Sequence, residues 1–270
     1  MRSGDQYLKR DGARLRYRDS GSGPAVVLIH GWTLDLEMWE PQVVRLADRF
    51  RLIRLDRRGH GGSSGIPGVR QDAGDLAALC ATLGLTSIAL IGMSQGARSA
   101  LSFAAAAPAT VRALVLDGAP ALEPGAAQTD IALDELQTLL ETQGIEAFRR
   151  EWRLHAPMQL RTAELAAHDL LAAMLGRYDG RDLLEPGSAG AGADAGRILG
   201  AITAPTLVLN GEFDLATRFA AADYLCRQLP HAQRCAIGAA GHLPNLDNPD
   251  AYAHACRAFL SRQLHGSTWT

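Results

Sequence analysis

Ser94 lies in Gly92-Met93-Ser94-Gln95-Gly96, directly after the apolar run 87–91 and directly before the helix-like stretch 97–107. A strand, a tight elbow and a helix form the arrangement that lifts one hydroxyl out of a sheet as a nucleophile. Gly92 and Gly96 suit the elbow, because a side chain at either position would meet the reversing backbone. A serine hydroxyl is nearly inert at neutral pH and needs a neutral imidazole to accept its proton. Of the eight histidines, His242 is the candidate: it sits in Ala240-Gly241-His242-Leu243-Pro244, in a turn after the strand-like stretch 233–237. The imidazole in turn needs a carboxylate to fix its tautomer and to stabilise the imidazolium. Asp214 fits best, just past the strand-like run 206–209 and in the chain order serine, acid, histidine. Glu212 is its near neighbour, and Asp117, at the end of the preceding strand-like run, competes with it for the role. Three such groups at one place would perform acyl transfer.

Attack on a carbonyl builds charge on oxygen, which fixed N–H donors stabilise. The N–H of Gln95, opening the helix after Ser94, is one candidate donor, and the helix dipole adds to it. The N–H of Trp32, in His30-Gly31-Trp32 after the run 25–30, is the other. For His30 itself the expectation is a brace for that loop.

These groups need a sheet to hold them. Residues 6–10 and 14–20 flank Asp11-Gly12, a hairpin signal. The runs 25–30, 51–55, 87–91, 111–116 and 206–209 read as strands buried on both faces. Between them lie helical stretches at 41–47, opening with a proline, and at 69–83. This alternation predicts an α/β chain with a mostly parallel sheet covered by helices. The rhythm breaks between Ala121 and Arg197, where helical stretches at 131–143, 145–153 and 162–175 follow one another without a strand. The expected organisation is a core of residues 1–120 and 198–270 with an inserted helical cap at 121–197, and a Gly/Ala-rich connector at 187–196.

Composition narrows the functions. At 270 residues, 47% hydrophobic and 21% charged, the chain is an ordinary globular protein. A formal charge of −2 offers no attraction to nucleic acid or anionic lipid. The cysteines Cys80, Cys226, Cys235 and Cys256 are scattered, without the close pairs of metal sites or disulfide scaffolds, and read as buried, inert thiols. No signal segment or membrane-length apolar run is read, so a cytoplasmic protein is expected, with a homo-oligomer left open. The cap should wall the substrate pocket, with Trp152, His155, Met158 and Leu160 as candidates, alongside Trp32, Trp39 and Met93 from the core. Arg149, Arg150 and Arg153 read as a solvated helix face, or as partners for a substrate carboxylate.

The segments His30-Gly31-Trp32, Asp56-Arg57-Arg58-Gly59-His60-Gly61, Gly92-Met93-Ser94-Gln95-Gly96, Gly211-Glu212-Phe213-Asp214 and Gly241-His242-Leu243-Pro244-Asn245-Leu246 follow one another along the chain. In this order they resemble the α/β-hydrolase superfamily over nearly the whole length. The first two segments are similar to the cofactor-free haloperoxidase and aryl-esterase branch, and the last two to the 3-oxoadipate enol-lactonases. Thr33, where the first branch commonly has proline, and Met93, where it has histidine, depart from that pattern. The resemblance implies an α/β-hydrolase fold with an eight-stranded sheet, a Ser94, Asp214 and His242 triad, and no metal or organic cofactor. A serine at position 94 speaks against dehalogenase and epoxide hydrolase chemistry, which use aspartate there. The expected function is hydrolysis of a small carboxylic ester or lactone through an acyl-enzyme. Cleavage of a carbon–carbon bond in a β-diketone, or lyase chemistry, on the same triad is the alternative. A ligand-binding receptor with little turnover is the alternative from another class.

Overall fold

The computed structural model describes residues 4–123, 131–185 and 195–264. Eight strands, β1 (Gln6–Arg10), β2 (Ala13–Ser20), β3 (Ala25–Ile29), β4 (Arg51–Leu55), β5 (Ile88–Met93), β6 (Val111–Asp117), β7 (Thr206–Gly211) and β8 (Ala232–Ile237), form one sheet in the order β1-β2-β4-β3-β5-β6-β7-β8. The β1–β2 hairpin turns through Asp11 and Gly12, both at positive φ, and β2 runs antiparallel to β4. Every other pairing is parallel.

Helices α1 (Glu40–Leu46), α2 (Val69–Leu83) and α3 (Gln95–Ala106) connect the first six strands. Between β6 and β7 come α4 (Leu133–Gln143), α5 (Ile145–Trp152), α6 (Leu165–Arg177), α7 (Arg181–Leu184) and α8 (Ala195–Gly200). The chain continues with α9 (Ala216–Gln228), α10 (Pro244–Asp247) and α11 (Pro249–Leu264). None of the helices searched is long and apolar enough to cross a membrane.

Successive side chains of a strand point to opposite faces, so the central apolar runs feed two cores. Val26, Leu28, Ala89, Ile91, Ala113 and Val115 face one side, where Trp39, Tyr252 and Phe259 pack together with Phe148, Trp152 and Met174 of the insertion between β6 and β7. Val27, Ile29, Leu90, Leu114 and Leu116 face the other, against Leu76, Leu79, Ala100 and Leu101. Leu199 of α8 belongs to this second core, so α8 packs beside α3 and not with the other inserted helices. Most of the expected connector 187–196 lies outside the described residues. Arg54, inside the run that reads as apolar, is fully buried and paired with Glu40 at 2.8 Å.

Two sequence expectations need correction. Trp39 neither lines a pocket nor braces its rim: it is fully buried beside Tyr252, because it closes the core between the sheet and α11. The cysteines are all free thiols, but only Cys80 and Cys256 are buried, whereas Cys226 on α9 and Cys235 on the edge strand β8 are partly exposed. Burial pushes the Cys80 thiol up to about 11.

Candidate active site

The parallel register aligns Ile29 with Gly92, Met93 with Asp117, Asp117 with Leu209 and Gly211 with Ile237. The loops carrying Trp32, Ser94, Gly118, Asp214 and His242 therefore leave the same carboxyl-terminal edge of the sheet, where ligands bind in open α/β folds. Ser94 has φ 50° and ψ −115°, a conformation that costs a non-glycine residue about 1–3 kcal/mol and clusters at functional sites. The elbow is held by Ser94 N–H donating to the Asp117 carbonyl at 2.7 Å. A Cβ on Gly92 would run into the Gly96 carbonyl, and one on Gly96 into the Ile29 carbonyl, so both glycines are set by the close approach of α3 to the sheet.

His242 and Asp214 are joined by a 2.7 Å bond from Nδ1 to Oδ1, with both side chains buried. Asp214 also accepts from Asn210 Nδ2 at 2.8 Å and from the Leu215 N–H at 2.8 Å. Burial pushes its carboxyl up, but His242, Asn210 and Leu215 outweigh that and hold it below the usual carboxylate value. The carboxylate thus fixes the His242 tautomer with Nδ1 protonated and leaves the Nε2 lone pair as the base. Gly118 links this pair to the serine. Its backbone follows the Asp117 carbonyl that anchors Ser94, and a Cβ built on it would stand 2.8 Å from His242 Cε1. No hydrogen bond joins Ser94 to His242 among the described residues, a contact that in ligand-free sites often tightens only with substrate.

Asp117, the competing acid, does not reach His242. It is fully buried beside Tyr252 and Cys256, and burial together with the Asp214 charge raises its carboxyl well above 3.8. The folded chain therefore keeps a proton that the unfolded chain releases above about pH 4, and stability from this group falls as pH rises from there toward the folded-state value. Asp117→Asn, which has no such proton, is expected to raise Tm by about 3 °C or more at pH 8, with the gain vanishing near pH 4. Thermal melts at the two pH values measure it; a loss at pH 8 would mean that Asp117 is ionised and paired. Glu212 turns instead to the Ala239 N–H at 2.9 Å.

On the opposite side of Ser94, His30 is the brace the sequence suggests. Its Nδ1 bonds the Gly31 carbonyl at 2.7 Å and its Nε2 accepts from the Arg57 N–H at 2.8 Å. Burial, with His60 and Arg57 nearby, pushes its pKa well below 6.5, consistent with the neutral tautomer that this pair of bonds requires. Gln95 opens α3, so its N–H is one of the donors a helix start leaves unpaired.

The loop that follows is clasped by the inserted helices. Trp32 Nε1 donates to Asp182 at 2.5 Å, and Tyr178 hydroxyl donates to the other oxygen of the same carboxylate at 2.6 Å. Trp152 Nε1 donates to Thr33 Oγ1 at 2.8 Å, and Arg177 pairs with Asp35 and Glu37. Trp32 packs edge-on against Trp152 with ring centroids 4.9 Å apart, and against Phe148 and Tyr178. Thr33 has φ 63°, which proline, fixed at about −65°, could not adopt. The departure at this position therefore supplies both the turn and the acceptor for Trp152. Asp182→Ala would free the Trp32 indole; on the expectation that the Trp32 N–H receives the oxyanion, it should lower kcat about ten- to a hundred-fold with a smaller effect on KM, because a small misplacement of that donor would weaken only the transition state. Steady-state kinetics on a short ester measure it, and an unchanged kcat would sink the connection.

The remaining pocket candidates separate. Met93 is buried on β5 with its sulfur against Gly31, a packing position and not a substrate wall. Trp152 is likewise buried, in edge contact with Trp32 and tilted against His155, whereas Met158 and Leu160 line a cavity among the inserted helices. Arg149 is occupied by the Tyr178 carbonyl and Glu146, leaving Arg150 and Arg153. Asn210, Gly118, Asp182 and Asp247 were not foreseen. Asn210 stands immediately before the Gly211-Glu212-Phe213-Asp214 segment; Gly118, Asp182 and Asp247 act through contacts that spacing does not carry. Among the described residues no three His, Cys, Asp or Glu side chains converge as metal ligands.

A family model described as alpha/beta hydrolase fold matches residues 24–249. The chain belongs to the α/β-hydrolase family. It is 30% identical to the 2-(acetamidomethylene)succinate hydrolase of Mesorhizobium japonicum, over 91% of each chain. It is 32% identical to the pimeloyl-[acyl-carrier protein] methyl ester esterase of Xanthomonas campestris, over 89% of this chain and 96% of that one. Among solved structures, the enol-lactonase from Burkholderia xenovorans superposes with a TM-score of 0.81 at 26% identity, covering 95% of this chain and all of the other. This α/β hydrolase thus has hydrolases and esterases as relatives.

Proposed function

We propose that this α/β hydrolase is a serine carboxylic ester hydrolase that cleaves a small ester or lactone through an acyl-enzyme. The observation that carries the reading is the buried 2.7 Å bond between His242 Nδ1 and Asp214 on the same sheet edge as the strained Ser94 elbow. Ser94 Oγ attacks the acyl carbon as His242 Nε2 takes its proton, and Asp214 stabilises the imidazolium. The N–H groups of Gln95 and Trp32 receive the charge developing on the carbonyl oxygen. His242 then protonates the departing alkoxide, and a water activated by the same nitrogen hydrolyses the acyl-serine. Each step uses only these groups and water. The helices between β6 and β7, within 121–197, serve as a cap that selects substrate and sets the Trp32 loop. The relatives support the class of reaction: their names include a methyl ester esterase and an enol-lactonase.

A fluorophosphonate should label the protein once, on Ser94, as read by intact mass and peptide mapping. Wild type should release p-nitrophenol continuously from a short p-nitrophenyl ester, and Ser94→Ala should not. Turnover retained by that variant would refute the reading, and a single labelled equivalent without continuing release would favour a receptor.

A further inference from the structure

Between the end of α5, the turn 156–158 and α6 lies an open cavity of about 560 Å³. Leu154, Met158, Leu160 and Leu171 contribute its apolar lining, and Arg150, Arg153, Gln159 and His168 its polar lining. No carboxylate is among the described residues that line it. Neither Arg150 nor Arg153 makes an ion pair among the described residues, unlike the neighbouring Arg149, which is paired with Glu146. Gln159 donates to the Arg153 carbonyl at 2.5 Å, which ties the residue after the turn 156–158 back to the end of α5.

The segment that follows Leu160 of the cavity lining is tied to the loop that carries His242. Asp247 accepts from the Arg161 N–H at 2.6 Å and the Thr162 N–H at 3.1 Å, and its other oxygen accepts from the Gly241 N–H at 2.8 Å. The Gln159 carbonyl lies 3.5 Å from where a Cβ on Gly241 would stand. One carboxylate thus pins the segment after Leu160 to the residue before His242.

Resting on the esterase reading above, we propose that this cavity is a subsite for a carboxylate carried by the substrate away from its scissile bond. Arg150 and Arg153 take the carboxylate, since a guanidinium fork matches its two oxygens, and the methylene chain lies over Met158, Leu160 and Leu171. The substrate class is then a monoester or lactone of a dicarboxylic acid. Arg150 and Arg153 are exposed, so water weakens the pairing, and the expected gain is about tenfold in kcat/KM.

The test compares mono-p-nitrophenyl esters of succinic, adipic and suberic acids with the same compounds carrying a methyl cap on the far carboxyl. Wild type should favour the charged ester about tenfold at the best chain length, less so at high salt. In Arg150→Gln/Arg153→Gln the ratio should fall to about one, and Arg150→Lys/Arg153→Lys should restore part of it. A wild-type ratio of one at every length, or a ratio untouched by the glutamines, overturns the subsite. Ser94-dependent hydrolysis of the capped esters with no charge preference would leave the esterase reading standing while the subsite falls. Should no ester turn over, calorimetric titration of adipate decides: binding to wild type that the glutamine pair abolishes supports the subsite, and no binding to wild type overturns it.

Discussion

Asp214→Ala is expected to lower kcat about ten-thousand-fold on a short p-nitrophenyl ester, with KM nearly unchanged, because in the proposed mechanism the carboxylate acts on an imidazolium that exists only as the reaction proceeds. Asp214→Asn is expected to cost less, on the order of a hundred- to a thousand-fold, for a reason specific to this site. An asparagine there has one oxygen and one NH2 to place. Oδ1 faces His242 and the Leu215 N–H, while Oδ2 faces the Asn210 amide. The Asn210 Oδ1 atom is buried with no hydrogen-bond partner in the native site. Rotating the Asn210 amide would offer that oxygen to the new NH2 group and leave the variant's oxygen toward His242. The Nδ1-protonated tautomer survives, and only the charge is lost. Steady-state kinetics on the two variants check the order. If asparagine costs as much as alanine, Asn210 does not turn and the histidine is held in the wrong tautomer. If Asp214→Ala keeps most of its activity, the acid is elsewhere.

How far these residues could be read beforehand depends on the kind of signal each carries. The strands β3, β5 and β6 announce themselves because burial on both faces excludes polar residues, and the elbow because two close backbone approaches demand glycine at fixed spacing. Strand ends are less visible: β5 and β7 each continue two residues past their apolar runs, since Gly92, Met93, Asn210 and Gly211 pair as well as the residues before them. Helix α11 obeys the three- and four-residue rule through Tyr252, Cys256, Phe259 and Leu260, so it was open to reading, although no expectation named it. Met93 and Trp39 expose a real limit. An apolar side chain near a catalytic motif fits a pocket wall and a core equally well, and only the fold's packing assigns it. The clasp is further from reach. Trp32 and Asp182 are 150 residues apart, and an aspartate at the start of a four-residue helix reads as an ordinary surface group. The same holds for Asp247, whose two oxygens bridge the inserted segment and the His242 loop.

Ser94→Ala and His242→Ala should each lower kcat about ten-thousand-fold or more, and the double variant should be no slower than either single one. The reason lies in how the proton and the bond are coupled. Without Ser94 the His242 base has no hydroxyl to deprotonate, and without His242 the hydroxyl stays a weak nucleophile, so the first loss already contains the second. What survives in all three variants is the part of the site that neither residue makes: the Gln95 and Trp32 N–H groups and the pocket, which together are expected to keep about a thousand-fold acceleration over water. Long-duration assays with p-nitrophenyl acetate, corrected for spontaneous hydrolysis, measure these rates. Losses that multiply in the double variant would mean that Ser94 and His242 act separately, and the triad would have to be abandoned. Losses that coincide, followed by a further drop when Asp182→Ala is added, would locate the residual catalysis in the Trp32 loop that the inserted helices hold in place.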